Sequence, residues 1–425
     1  MHPKIVFIGA GSRSFAPGVL RDLYRSHDLA GLRLALVDTD VNALARMKPL
    51  IDRLQAESGR TYEVSFDTDR RRALEGADYV IVSIAVERLP LWRQDFIEPL
   101  RHGFKHCYGE NGGPGALFHT LRNLPIVMGI ARDMEDLSPT AWMITFTNPE
   151  NRVCLCLHRH SRIRTIGLCH GINGTLDLIA GRLGIDRSRL DAQAAGVNHL
   201  TWLLRLWDKE TGEDLMLRWR ADVDANGPPP GYEMCCKLWD VFDCFPTTGD
   251  SHVGEFLSFG AEYYTRGFEF ADFAGWAEQA GRELDALGSG VPPITEWLSH
   301  GSAEIAVRAM EHLHFRKTGK LMSVIVPNAG AVPNLPEDAV VETGGLFDCG
   351  EVAAEPTPPI PPVAAAVTRR ELEIQELAVE AWARRSRKAA LQALLLDPCV
   401  DSITRAELLL DRMVELQGAY LPELR

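Results

Sequence analysis

The chain has 425 residues, 46% of them hydrophobic and 24% charged, with a formal net charge of −13. That is a globular composition with a large core, enough for two or three domains or for one α/β domain with a sizeable elaboration. The acidic balance, without any Lys/Arg-dense run, argues against a nucleic-acid surface, and no apolar run approaches the roughly 18 residues that span a bilayer.

"KIVFIGAG" at the N-terminus is predicted to be a first strand rather than a signal peptide, because its apolar run ends in a glycine loop. A helix from about Ala16, the strand "RLALVD", a helix through "VNALARMKPLIDRLQ" and the strands "YEVSFDTD" and "DYVIVSIAV" follow. A long loop then precedes a helix around "FHTLRNLPIVMGIARDM", capped near Ala116, and the apolar runs "AWMITFTNP" and "RTIGLCHG". Strands alternating with helices imply right-handed crossovers and a parallel sheet covered on both faces. The expected fold is therefore α/β, a doubly wound Rossmann-type sheet over residues 1–198.

From about residue 200 the regularity is lost, and residues 199–425 are expected to form an α+β substrate and oligomerisation domain. "GPPPGY" and "PTPPIPP" read as surface loops, while "SRKAALQALLLDP" and "ITRAELLLDRMVELQGAY" read as amphipathic C-terminal helices. Nine cysteines, an odd number with no CxxC pair, suit a reducing compartment. A cytoplasmic location is expected.

The turn after the first strand carries "GAGS". Gly9 permits the tight turn, Gly11 lets the backbone approach a pyrophosphate at a helix N-terminus, and Ser12 continues the loop. Ser14 stands where a third glycine would complete GxGxxG. "LVDTD" ends the second strand on Asp38, a carboxylate placed for a ribose diol, which favours NAD over NADP.

"TFTNPEN" places Asn148 at a strand tip facing the nicotinamide end of the crevice. Cys169 and His199 end the following runs, "RTIGLCHG" and "AGVNHLTW". A thiolate with an imidazole, leaving positions open for substrate oxygens, suits a divalent transition metal. Taken alone, the pair reads more readily as a buried thiol and a satisfied histidine.

"FIGAGS", "TNP", "GLCHG" and "GVNHLTW", in this order and spacing, resemble the NAD- and manganese-dependent glycosidases of glycoside hydrolase family 4, over nearly the whole chain. "GDSHVGEFL" and "NLPEDAVVE" look like later landmarks of that family. A shared "CH" and an H-x-x-E-[FY] segment point toward its members acting on α-galactosides and α-galacturonides. The resemblance implies NAD and Mn2+, or another divalent metal, as cofactors, with Cys169 and His199 holding the metal. It implies hydrolysis through transient oxidation at sugar C3, removal of the C2 proton, elimination of the aglycone, addition of water and return of the hydride. That departs from the two-carboxylate scheme of most glycosidases. A ketone at C3 makes the neighbouring C2–H acidic enough for an ordinary side chain, with the metal as Lewis acid. A homodimer or homotetramer is implied as well.

Two departures from the family pattern stand out. Where many members carry a tyrosine as C2 base, this chain has His252, with Asp250 as orienter or rival and Tyr263 and Tyr264 as outside candidates. The loop "CYGENGGPGALFHT" replaces the usual aspartate–threonine pair with Glu110 and Asn111, which are expected to meet sugar hydroxyls, as are Asn148 and Asn198. His170, after the metal cysteine, is expected to be the leaving-group acid or a sugar contact. His106 and His119 have no comparable support. An anionic sugar would need a convergent cation, for which Arg266, Arg316 and Lys317 are the candidates. Competing readings are an NAD-dependent dehydrogenase of the lactate/malate type, which shares this nucleotide domain, a redox-neutral sugar lyase or epimerase, and a non-catalytic NAD sensor.

Overall fold

In the computed structural model the strands expected in the first half form as β1 (Lys4–Ile8), β2 (Arg33–Val37), β3 (Glu63–Asp67), β4 (Tyr79–Val82), β5 (Trp142–Thr145) and β6 (Arg164–Gly167). The structure describes residues 2–425 apart from 14, 30, 265–269 and 303, and the side chains of 264 and 270–272 also fall outside it. Ser14, Arg266 and the Tyr264 side chain, singled out in the sequence, therefore lie outside the described residues.

β1 to β6 pair in parallel in the order β3-β2-β1-β4-β5-β6. This is the doubly wound dinucleotide-binding order, which puts the ligand crevice at the carboxyl ends of the strands. β1, β2, β4 and β5 are buried along nearly their whole length because helices cover both faces.

Two local expectations are corrected. The long loop before residue 113 contains the helix Arg88–Arg101. Its Pro90 falls in the first turn, where the missing N–H removes no helical bond, so the proline marks a start and not a loop. The next helix, Gly113–Leu137, begins three residues before Ala116, with Pro114 in its first turn.

The second half is more regular than its sequence suggests. β7 (Leu190–Val197), β8 (Leu200–Asp208), β9 (Phe245–Pro246), β10 (Gly319–Pro327), β11 (Val340–Asp348) and β12 (Glu351–Ala354) extend the same sheet to 12 strands among the described residues. The join is antiparallel, with Ile325 of β10 beside Gly167 of β6. A Cβ at Gly167 would sit 2.6 Å from Cys154 Sγ and 2.9 Å from Ile325 Cβ, so the glycine permits this approach. The sheet thus runs through both expected segments, 1–198 and 199–425, and residues 198 and 199 form the turn of the β7–β8 hairpin. The proline stretches are loops, and the C-terminal helices form as Arg387–Leu396 and Ile403–Gln417. Among the described residues no helix is long and apolar enough to cross a membrane.

Candidate active site

A cavity of about 1380 Å³ opens at the carboxyl ends of the parallel strands and is lined by Gly9, Gly11, Ser12, Asp38 and Asn148, the five residues expected to hold the cofactor. Gly9 has φ +87°, and a Cβ there would lie 1.9 Å from the Ser83 carbonyl oxygen. A Cβ at Gly11 would lie 2.4 Å from Ala43 Cβ and 2.8 Å from Asp38 Oδ2. Both glycines are demanded by close backbone approach, which leaves a cradle for a ligand of matching shape. Asp38 also pins the loop: Oδ2 accepts the Gly11 N–H at 2.9 Å and Oδ1 that of Asp40 at 3.0 Å. Ser12 Oγ accepts the Phe15 N–H at the start of the helix Ala16–Arg25.

Cys169 follows β6 and opens the helix Gly171–Leu183. It is buried, and its Sγ accepts the Gly171 N–H at 3.4 Å. Burial, with Glu342 and Glu150 nearby, pushes the thiol well above its usual range. A bound cation would favour the thiolate here. His199 does not end a strand, as expected, but is the second residue of the tight β7–β8 turn, with φ +68°. It is buried, and its Nδ1 has no hydrogen-bond partner. Burial, then His252 and His170, holds its basicity well below normal, leaving a neutral imidazole with a lone pair to give. Thr248 Oγ1 donates to the His199 carbonyl at 2.9 Å, and the Thr248 side chain packs against Gly171, linking the two tips. Asn198 Nδ2 donates to Glu342 Oε2 at 3.1 Å, and its side chain lies beside the Cys169 thiol.

His252 lies on the short helix Asp250–Val253, its ring 4.3 Å from that of His199 and stacked at 5.6 Å on Tyr108. Its Nδ1 is 3.6 Å from Glu255 Oε1. Glu255 is fully buried; its Oε2 accepts the N–H groups of Glu110, Asn111 and Gly112 at 2.8, 2.8 and 3.2 Å, and Oε1 has no hydrogen-bond partner. Glu255 is not singled out by its sequence context, although the H-x-x-E spacing that contains it places it one turn after His252. Ligating atoms of His199, His252 and Glu255 lie within 4.8 Å of one another. The orphaned Nδ1 atoms and Oε1 fit a divalent cation.

The remaining candidates divide. Asp250 Oδ2 and Oδ1 accept the N–H groups of Met234 and Cys235, each at 2.9 Å, which anchors the carboxylate to the start of the helix Glu233–Phe242. Tyr263 packs beneath Lys237. Lys317 pairs with Asp28, and Arg316 is exposed beside it in sequence, so neither is a site cation. Glu110 lines the cavity with its carboxylate 3.5 Å from Arg88, and the buried Asn111 leaves Nδ2 without a partner. His170 is exposed at the start of the Gly171 helix.

A dinucleotide crevice together with a grouping of two imidazoles and a carboxylate defines the class: an enzyme built to act on a small polar substrate beside a nucleotide and a metal. Residues 4–185 match the Family 4 glycosyl hydrolase model and residues 194–400 match the Family 4 glycosyl hydrolase C-terminal domain, so the chain belongs to glycosyl hydrolase family 4. It is 31% identical to an alpha-glucosidase of Erwinia rhapontici, with 100% of each chain covered. It is 29% identical to an alpha-galactosidase of Bacillus subtilis (strain 168), with 99% of each covered. Its fold is similar, with a TM-score of 0.89, 23% identity and 100% of each chain covered, to that of a 6-phospho-alpha-glucosidase from gut microorganisms solved in complex with NAD and Mn2+. The family read from the four motifs is borne out.

Proposed function

We propose that the protein hydrolyses an α-glycoside (a galactoside, glucoside or uronide) by transient NAD-dependent oxidation at sugar C3, with Mn2+ or another divalent ion. Within this reading His252 is the C2 base and His170 the leaving-group acid. The observation that carries it is the convergence of His199, His252 and Glu255, their ligating atoms within 4.8 Å, in a chain whose glycine loop lines a dinucleotide-sized crevice. When bound, NAD supplies the hydride acceptor for C3 and the metal a Lewis acid for the C2 and C3 oxygens, which together allow elimination at C1, water addition and re-reduction.

The chain's own residues have distinct tasks. Gly9, Gly11 and Ser12 bring backbone N–H groups to the pyrophosphate, and Asp38 accepts from the ribose diol. Cys169 and His199 hold the metal. Glu255, fixed by three N–H donors, presents Oε1 to His252 Nδ1 and orients the ring, so the other ring nitrogen is left to take the C2 proton. Glu255 thereby fills the orienting role expected of Asp250. His170, exposed beside the cysteine, gives a proton to the departing aglycone oxygen. Asn111, Glu110, Asn148 and Asn198 meet the sugar hydroxyls. In this division residues 1–198 supply the cofactor cradle and residues 199–425 the base.

The same grouping supports a second reading, because His252 Nδ1 and Glu255 Oε1 have no hydrogen-bond partner and are free to act as metal donors beside His199. On that reading His252 and Glu255 complete the coordination and another group is the base. Mn2+ affinity of His252→Asn separates the two, since a base can be lost without losing the metal.

The site reading as a whole is tested by hydrolysis of 4-nitrophenyl α- and β-glycosides and glycuronides under a reducing agent, with NAD and Mn2+ each present or omitted. Activity that needs both, with solvent deuterium entering C2 of the released sugar, is the expected result. NADH accumulation without aglycone release would make the protein a dehydrogenase, and an unsaturated sugar product would make it a lyase. Nine free thiols support a reducing, cytoplasmic setting. Exposed Ile403 and Leu408 on the last helix support assembly into a homodimer or homotetramer there.

A further inference from the structure

His119 is a buried polar residue of the cofactor cavity that the mechanism leaves unused. It sits in the second turn of the helix Gly113–Leu137 and lines the cavity together with Asn148 and Glu110. Its side chain is 4% exposed, and Nδ1 is buried without a hydrogen-bond partner. Neither ring nitrogen has such a partner among the described residues. Leaving a buried polar atom unpaired is costly, and native proteins seldom do so without a ligand or a solvent molecule to complete the pairing.

The position narrows what completes it. Asp38 follows β2 and marks the adenosine half of the crevice, whereas Asn148 follows β5 and marks the opposite, nicotinamide half. His119 stands one helical turn before Asn123, whose Nδ2 donates to the Asn148 carbonyl at 2.6 Å, which puts it on the Asn148 side of the cavity. His199, His252 and Glu255, where the sugar's reacting carbons belong, do not line this cavity. The charge state narrows it further. Burial, reinforced by the guanidiniums of Arg122, Arg88 and Arg152, holds the imidazole neutral well below its usual range. A neutral imidazole offers one N–H donor and one lone-pair acceptor, and it does not repel a cationic pyridinium ring.

We propose that His119 binds the carboxamide of the nicotinamide through one hydrogen bond from a single ring nitrogen, accepting from the amide NH2 or donating to its carbonyl. This fixes which face of the ring meets the sugar. The inference rests on NAD being the cofactor of this cavity, and the test keeps the two apart.

The test is calorimetric titration of the full-length protein with NAD and with ADP-ribose, which lacks the nicotinamide, for wild type, His119→Phe and His119→Gln. His119→Phe is expected to weaken NAD by up to about tenfold while leaving ADP-ribose within about twofold, because one neutral hydrogen bond is lost at one end of the ligand. His119→Gln, which keeps a donor and an acceptor, is expected to recover much of the NAD affinity. Thermal midpoints report the fold: a histidine with a structural role only would lower them and leave the NAD to ADP-ribose ratio unchanged, which overturns the proposal. Equal weakening of both ligands overturns it as well, as does unaltered NAD binding with a raised KM for the glycoside. If wild type binds ADP-ribose and NAD equally, the carboxamide makes no contact and the proposal fails. If wild type binds neither, the cofactor reading falls and this inference with it.

Discussion

Replacing Glu255 by glutamine tests the centre of the site with the least disturbance. The amide oxygen can keep accepting the N–H groups of Glu110, Asn111 and Gly112, so the loop retains its anchor. What changes is the other end, where Oε1, 3.6 Å from His252 Nδ1, becomes a neutral NH2. An interaction with a charged partner is worth about 1.5–3 kcal/mol, so turnover should fall by about 10- to 150-fold. Glu255→Ala should instead remove the acceptor from three N–H groups in a fully buried place. At about 1–3 kcal/mol for each unsatisfied group, that variant should lose at least about 3 kcal/mol of stability. The assays are kcat on a hydrolysed 4-nitrophenyl glycoside, Mn2+ affinity from the electron paramagnetic resonance of free ion, and thermal melts. Glu255→Gln with a wild-type melt, lowered kcat and little-changed Mn2+ affinity is the expected pattern. Mn2+ affinity falling in step with kcat would make Glu255 a metal ligand, and a wild-type kcat would refute its orienting role outright.

Gly9→Ala should abolish NAD binding in titration, because its Cβ would have to lie 1.9 Å from the Ser83 carbonyl oxygen at φ +87°; retained affinity would mean that the loop relaxes freely. Asp250→Ala should cost about 1–2 kcal/mol in chemical denaturation by uncapping Met234 and Cys235, with kcat/KM changed little. A collapse of kcat with unchanged stability would return Asp250 to the chemistry. Glu371 is buried and its carboxyl is pushed up from 4.5 to about 8 by burial, then by Asp397. Below pH 4.5 folded and unfolded chains both hold this proton; between 4.5 and about 8 only the folded chain does, so its contribution to stability falls as pH rises through that window. Glu371→Gln should flatten the decline in denaturation midpoint across that range, and an unchanged slope would show that Glu371 is not the group responsible.

The local chemistry of this protein is legible in its sequence because it depends on neighbours a few residues apart. The period of apolar runs sets the parallel half of the sheet, the glycine turn after β1 and Asp38 after β2 mark the crevice, and the CH and NH pairs mark the two tips. Family membership follows from the same short motifs. What the tertiary structure alone decided concerns partners far apart in the chain. β10 joins β6 through one pair at Gly167, a contact that no local period announces. Asp250 and Glu255 are both acids flanking His252, and nothing in "GDSHVGEF" says which of them faces it. One carboxylate meets the start of the helix Glu233–Phe242, and the other meets the loop at residues 110–112. His119 reads as one more residue of an apolar helix until the fold buries it among three arginines with its ring nitrogens unpaired. Spacing fixes which side chains share a short segment, but burial and the partners brought by distant segments fix their charge, orientation and use.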